Sequence, residues 1–485
     1  MTKAMEEKDK HRTSLVEDAM QNNSSESAGE VQDWNESEEK ALVRKIDLRV
    51  FPMLCVIFGL SLLDRTNISL AYIAGLSKDL QLQIGARYNV ALLVFFIGYG
   101  LFELPSNLVI RRVGARWWLS FLVTAWGASV LGMGFIHNWQ TLTVLRTLLG
   151  IFEAGLFPGA VFIIGSWYKQ FEMAKRISFF YMAALVASGF GPIIAYALSL
   201  IRVGDGMYAA GWRWIFIIEG AFTVAVGIVA VFLLVDFPEK ATFLNPREKH
   251  IAANRVHADQ VSREYEHPTI KQALSMLKDW KVGVYTLIYF VPASSVYSLS
   301  YFKTIILNEG MGFNYAMSQL LSSPPYLFAV AASMFMAWIS DRYRIRWMIL
   351  CIQSGFAIVG LLIMIYGKLP GVRYFGMFLA VFGAQSNVPG TLAYGQNQTA
   401  RPEKRGVVSA AMISIGAAGG IAGSTMFRSQ DAPLYLPGMW STIALQICYS
   451  IAVFSMSMYL KKQNKLADQG IKPVLEGVSG FRYAP

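Results

Sequence analysis

Twelve apolar stretches, most of about 20 residues or more, restrict this chain to folds that cross a lipid bilayer. They fall at 50–74, 88–110, 117–137, 141–166, 175–200, 213–236, 281–304, 319–340, 345–367, 373–395, 406–428 and 438–460. A hydrocarbon interior offers no partner for free backbone groups, so each stretch must be a helix or part of a closed barrel. Barrel strands alternate polar and apolar residues over about 10 positions. These stretches do not alternate, so the sequence predicts an all-α membrane protein with twelve transmembrane helices. With 54% hydrophobic and only 15% charged residues among 485, the chain is too apolar for an ordinary soluble enzyme.

The stretch 237–280 interrupts the series with Pro-Glu-Lys at 238–240, Asn-Pro-Arg-Glu-Lys-His at 245–250 and many further charges. It divides the spans six and six. The expected organisation is a disordered tail over 1–45, a first bundle over 46–236, a central loop over 237–280, a second bundle over 281–460 and a tail over 461–485. The two halves carry a faint repeat: a short basic turn at 107–116 follows the second span, and another at 337–346 follows the eighth. Two six-helix pseudo-symmetric bundles around a midplane site are the architecture such a repeat produces.

Loop charges orient the spans. One side receives Lys40, Arg44, Lys45 and Arg49, then Arg111, Arg112 and Arg116, then Lys169, Lys175 and Arg176. In the second half it receives Arg342, Arg344 and Arg346, Arg401, Lys404 and Arg405, and Lys461, Lys462 and Lys465. The opposite loops hold few basic residues. Membrane proteins keep Lys and Arg in cytoplasmic loops, so both termini are expected in the cytoplasm. The formal charge of +11 therefore reads as membrane orientation, with no nucleic acid as partner. Cys55, Cys351 and Cys448 lie singly within apolar stretches and have no metal-binding or redox spacing. No phosphate-cradling glycine loop, zinc spacing or nucleophile–base set is visible, so the chain is expected to need no metal or cofactor, to be no enzyme, and to work on an ion gradient.

Ala337–Arg346 has the form small-x-x-x-Asp-Arg-x-x-x-Arg, the loop signature of the major facilitator superfamily, and the whole layout resembles that superfamily. The first-half copy departs from it, with Asn107 in place of Gly and Arg111 in place of Asp. That departure resembles one branch, the fungal anion:cation symporters that include allantoate and nicotinate permeases. Four further stretches carry the resemblance: Leu-Asp-Arg-Thr-Asn-Ile-Ser at 63–69, Gly-Tyr-Gly-Leu-Phe-Glu-Leu-Pro-Ser-Asn at 98–107, the run from Arg146 to Gly159 with Trp167-Tyr168, and Phe-Arg-Ser-Gln-Asp-Ala-Pro-Leu-Tyr-Leu-Pro-Gly at 427–438.

Asp64 and Arg65 lie within an apolar span, where each charge costs about 2.5–3.5 kcal/mol on insertion scales. Facing a water-filled bundle interior removes most of that cost. A substrate or proton role and a structural ion pair are both compatible with this placement. Arg146 and Glu153 are seven residues apart, nearly two helical turns, so both point the same way about 10 Å apart. Gly150, Ala154, Gly155 and Gly159 beside them let a neighbouring helix approach, and Pro158 can bend the helix. Arg146, nearer one end, also fits a helix-end anchor. A carboxyl balanced between burial, which favours its neutral form, and a nearby Arg, which favours its charged form, can take up and release a proton.

The resemblance implies roles for these residues. Asp64 and Glu153 match the acidic proton-coupling positions, and Arg65 the arginine that contacts the substrate carboxylate. Tyr99 matches a hydrogen-bonding tyrosine of the second helix. Arg146, Gln396 and Asn397 are further candidate substrate contacts. Glu103, Arg112, Asp341 and Arg342 are candidate gating residues. Tyr289, Tyr297 and Tyr301 recur at helical spacing, a stripe that reads first as packing. Gln385, Ser386 and Asn387 are polar within the tenth span and form a candidate cavity wall. The expected function is proton-coupled symport of a small organic anion by a monomer in the plasma membrane. The alternatives are an exporter of a fungal secondary metabolite or toxin, suggested by a Gly-Pro core at 191–192, and a nutrient receptor that does not transport.

Overall fold

The computed structural model describes residues 34–204, 206–238, 241–261, 270–343, 345–471 and 474–484. Its membrane helices are α1 (Glu36–Ala71), α2 (Arg87–Val113), α3 (Ala115–Met133), α4 in two pieces (Trp139–Glu153 and Leu156–Trp167), α5 (Gln170–Ser199) and α6 (Gly211–Leu233). The second half follows with α7 (Trp280–Ile305), α8 in two pieces (Tyr315–Leu321 and Pro324–Tyr343), α9 (Arg346–Tyr366), α10 (Pro370–Asn397), α11 (Pro402–Met426) and α12 (Leu436–Asp468). Ten spans among the described residues are long and apolar enough to cross a bilayer. The other two helices, α3 and α10, owe their lower hydropathy to particular residues. Arg116, Trp117, Trp118 and Trp126 dilute the 19 residues of α3, and Arg373, Gln385 and Asn387 dilute α10. Both pack within the bundles and complete the twelve.

Helix pairing makes the sequence repeat physical. In the first half α1 packs on α5, α2 on α4 and α3 on α6. Adding six to each number gives α7 on α11, α8 on α10 and α9 on α12, and these are packed pairs too. The halves join through α2 with α11 and α5 with α8, which the same operation exchanges. Small residues set the spacing. A Cβ on Gly150 of α4 would meet the Phe95 carbonyl of α2, and a Cβ on Gly423 of α11 would meet the Ser294 carbonyl of α7. Between membrane helices, where lipid is as apolar as leucine, close backbone approach of this kind supplies the packing energy.

Helices run past the edges of the expected segments at two places, and the central segment is itself helical. Residues 36–45 belong to α1 and do not extend the tail; residues 1–33 lie outside the described residues. This first stretch is pinned to the central segment, with Lys45 2.8 Å from Glu248 and Arg247 3.3 Å from Glu38. The central segment itself forms helices at Pro246–Val261 and Ile270–Leu277. Past 460, α12 continues to Asp468, and a hairpin pairing Val474–Leu475 with Val478–Ser479 folds back onto the second bundle.

The hydrogen bonds joining the halves cluster toward one face. Asn89 donates to the carbonyls of Ser424 and Phe427 at 2.6 Å each, Gln319 donates to that of Leu70 at 2.9 Å, and Tyr315 donates to Ser199 at 2.5 Å. These contacts sit where α1 turns toward α2, α7 toward α8 and α11 toward α12, opposite the face that carries the described ends of the chain.

Candidate functional site

Arg65 sits where the two bundles meet. Its Nε donates to Glu153 Oε1 at 3.0 Å, its Nη2 makes a closer bond to the same oxygen, and its Nη1 donates to the Tyr297 hydroxyl of α7 at 2.8 Å. Ser61, one turn earlier on α1, also donates to Glu153 Oε1, at 2.5 Å. Three aromatic faces surround the guanidinium: Phe95 at 5.0 Å, Tyr99 at 5.2 Å and Tyr297 at 5.8 Å. Ring faces carry partial negative charge, so they hold a cation where water is scarce.

The backbone explains why Glu153 reaches this point. Pro158 has no N–H to donate to the Ala154 carbonyl four residues back, and α4 breaks between Glu153 and Leu156. Glu153 therefore ends the first piece of α4 at mid-membrane depth, with Gly155 against Ser106 of α2. Arg146, two turns back, is almost fully buried. Its Nη1 donates to the Arg65 carbonyl at 3.3 Å and its Nε to the Ala91 carbonyl at 3.4 Å. Arg146 Nη2 and Glu153 Oε2 are buried without a hydrogen-bond partner among the described residues. An unused donor and an unused acceptor in one buried neighbourhood are what a polar ligand or a proton would satisfy.

Asp64 and Arg65, adjacent in sequence, serve different neighbourhoods. Asp64 turns into the first bundle and accepts from Thr223 of α6 at 3.0 Å, Trp126 of α3 at 3.2 Å and Asn67 at 3.3 Å. It shares no hydrogen bond with Glu153. The expected pair of proton-coupling acids thus occupies two hydrogen-bond sets back to back.

The other expected contacts divide. Tyr99, expected to hydrogen-bond the substrate, lies at the centre and turns its ring face to Arg65. Glu103, one turn further along α2, is buried. Gln396 and Asn397 are not brought to the centre. They form the last turn of α10, where Gln396 donates to Ser409 of α11 at 2.8 Å. The polar residues buried midway along α10 are Gln385, Ser386 and Asn387, and Asn387 has both side-chain polar atoms unpaired among the described residues. Of the expected gating residues, Arg112 and Arg342 are exposed at the ends of α2 and α8, and the Asp341 side chain lies outside the described residues. The turn after α2 is held instead by Asp236, which accepts from the Ala115 backbone at 3.2 Å beside the left-handed Gly114.

Three further residues enter this interior: Tyr297, Glu219 and Lys303. Tyr297 was one of a tyrosine stripe, yet it is the second-bundle partner of Arg65. Glu219 of α6 and Lys303 of α7 are buried charged residues, the same signal that marked Asp64. Glu219 accepts a close hydrogen bond from Asn67. Lys303 lies 3.5 Å from the centroid of the Tyr326 ring and donates to the Ser322 carbonyl at 3.2 Å.

A Major Facilitator Superfamily model matches residues 54–424. The chain belongs to the Major Facilitator Superfamily. Its relatives include "MFS transporter prlL" of a fungal species (strain NRRL 50135), 32% identical over 92% of this chain and 91% of that protein. "MFS-type transporter cnsO" of Penicillium expansum is 32% identical over 88% of this chain and 85% of that one, and "Major facilitator-type transporter hxnP" of Emericella nidulans is 30% identical over 91% and 90%. Among solved structures, a bacterial homologue of the human lysosomal transporter Spinster, inward-facing and occupied, aligns with a TM-score of 0.67 at 15% identity, covering 84% of this chain and 96% of its own. The xylose transporter XylE from E. coli, partially occluded and inward-open, aligns with a TM-score of 0.63 at 14% identity, covering 84% and 98%. At such identities these two show the fold alone. The chain is thus a membrane transporter of the major facilitator type.

Proposed function

We propose that this transporter moves a small organic anion by proton-coupled symport, with Arg65 as the group that pairs with the anion. The observation that carries the proposal is the sharing of Arg65 between the bundles. One edge of its guanidinium holds Glu153 of the first bundle and another holds Tyr297 of the second. A planar guanidinium pairs bidentately with a carboxylate, so an incoming carboxylate competes with Glu153 for the same donors. A proton on Glu153 weakens its hold and frees Arg65, and the loaded centre then carries less net charge than with both anions present. The bundles close around and reorient such a centre more easily than one with an unpaired charge. Leaving Arg65 would return Glu153 to it and release the proton.

The basic loops support placing both termini in the cytoplasm. The bundles of this reading span 46–236 and 281–460, and the transporter acts as a monomer in the plasma membrane. Purified protein screened by thermal shift against monocarboxylates, ureides, vitamins and amino-acid conjugates gives the cargo class. With a stabilising compound in hand, Glu153→Gln in proteoliposomes is expected to keep counterflow and lose acid-stimulated net uptake. Net uptake that keeps its full acid dependence in this variant sinks the proton assignment. The direction of flux in intact cells separates this importer from an exporter.

A further inference from the structure

Behind the Arg65 centre lies a second buried acidic site, where Asp64, an expected proton-coupling residue, meets Glu219, for which no role was expected. Asp64 of α1 and Glu219 of α6 are 2% and 8% exposed, and Asn67, one turn from Asp64, is fully buried between them. Asn67 Nδ2 donates to Asp64 Oδ1 at 3.3 Å and, more closely, to Glu219 Oε2. The remaining donors to the pair are the Trp126 indole and the Thr223 hydroxyl, both on Asp64. No Lys or Arg hydrogen-bonds to either carboxyl among the described residues. The charged groups near by are Arg146 and Glu153 of α4, and their bonds run to Arg65, Ala91 and Ser61.

The site lacks a donor. Glu219 Oε1 and Asn67 Oδ1 are buried acceptors with no partner among the described residues. Turning the amide over does not repair this, because its oxygen would then face two carboxylates. Two carboxylates joined through one neutral amide in a low-dielectric interior do not both hold a charge, and like-charged acids that share a site keep a proton between them. In either amide orientation one more proton supplies the missing donor.

We infer that Asp64 and Glu219 form a proton-binding site that holds a single proton through Asn67 in this conformation, with Glu219 as its unassigned member. Only the use of this proton in coupling rests on the symport reading; the site itself does not. Thr223 and Glu219 on α6 and Trp126 on α3 tie the proton to the α3–α6 pair, while Arg65, the next residue of α1, meets the bundle interface. Rotation or bending of α1 would therefore change both sites together.

Infrared spectroscopy of the purified full-length protein in lipid tests this with the proton itself as the probe. A protonated carboxyl has a carbonyl band above those of amide and carboxylate groups, and the band shifts down in heavy water. Wild type is expected to show such a band at neutral pH. Glu219→Gln is expected to lose it, Glu219→Asp to move it in frequency, and Glu153→Gln to leave it in place. Absence of the band from wild type overturns the inference. So do spectra of Glu219→Gln and Glu219→Asp that match wild type, and so does a band lost in Glu153→Gln but kept in Glu219→Gln. If transport proves independent of a proton gradient while the band behaves as expected, the symport reading fails and the proton site stands.

Discussion

At the scale of single residues, charge in an apolar span was the informative signal, and its limits are physical. Asp64, Arg65, Arg146 and Glu153 stood out because ionisable groups are costly in hydrocarbon, and the structure buries all four around α1 and α4. Glu219 and Lys303 carry the same signal but were not singled out in the sequence. Tyr297 gives no comparable signal, since a tyrosine in a membrane helix needs no explanation until Arg65 is seen donating to it. Nor could the sequence show that neighbours 64 and 65 serve different partners, because a 100° step separates side chains without saying what each meets. Arg65→Lys tests the centre. Lysine keeps the charge but loses the planar fork and its fit against Phe95 and Tyr99. Uptake at subsaturating substrate should fall about ten-fold or more, the equivalent of one charge-assisted hydrogen bond of about 1.5 kcal/mol. Uptake within two-fold of wild type, about 0.4 kcal/mol, would remove Arg65 from the substrate site.

At the scale of elements, the helices were legible from hydropathy and the breaks partly so. Pro158 announced the bend in α4, and the glycines around it announced a close neighbour. The neighbour is α2, and Gly150→Leu should drive a side chain into the Phe95 carbonyl. Overpacking of this kind costs about 1–3 kcal/mol, so a lower melting temperature in detergent is the expected result. The fold-back of the C-terminal segment was not legible, because its polar composition resembles any tail. It is fastened by paired bonds: the Gln398 side chain takes both backbone groups of Ala484, at 2.6 and 3.1 Å, and Asn464 takes both of Tyr483, at 2.9 Å. Glu476, at the hairpin turn, accepts from Lys404 at 2.6 Å and from Lys281 more closely, and Asp279 is 2.6 Å from Lys404. Burial alone would push the Glu476 and Asp279 carboxyls up, but hydrogen bonds and charges from Lys281 and Lys404 outweigh it and hold both below their usual values. Groups lowered on folding add stability that is complete above their unfolded values, about 4 for such acids, and that is lost as pH falls through the lower folded values. Glu476→Gln should therefore lower the melting temperature at pH 7, and the gap from wild type should close as the pH drops below about 4. A gap that stays constant down to pH 3 would show that this ion cluster does not hold the segment.

At the scale of the whole molecule, the six-and-six division and the basic loops led to the superfamily fold, and the relation of α1–α5 to α7–α11 follows from the repeat. The face on which the bundles close was not legible, since rocking of two bundles leaves the sequence unchanged. In the structure the bundles meet through α2 with α11 and α5 with α8, on the face away from the described chain ends. If transport requires that face to open, tying it shut must stop net movement. A Cβ at Gly100 would lie 3.4 Å from the Ala417 Cβ, close to the separation found in disulfides. With Cys55, Cys351 and Cys448 replaced by serine, Gly100→Cys with Ala417→Cys should cross-link under mild oxidation. Uptake should fall to the level of empty vesicles and return with a reductant, while each single cysteine is unaffected by either treatment. A complete cross-link that leaves uptake intact would mean that α2 and α11 stay together throughout the cycle. The movement would then have to lie within the bundles, at hinges such as the break after Glu153, and not between them.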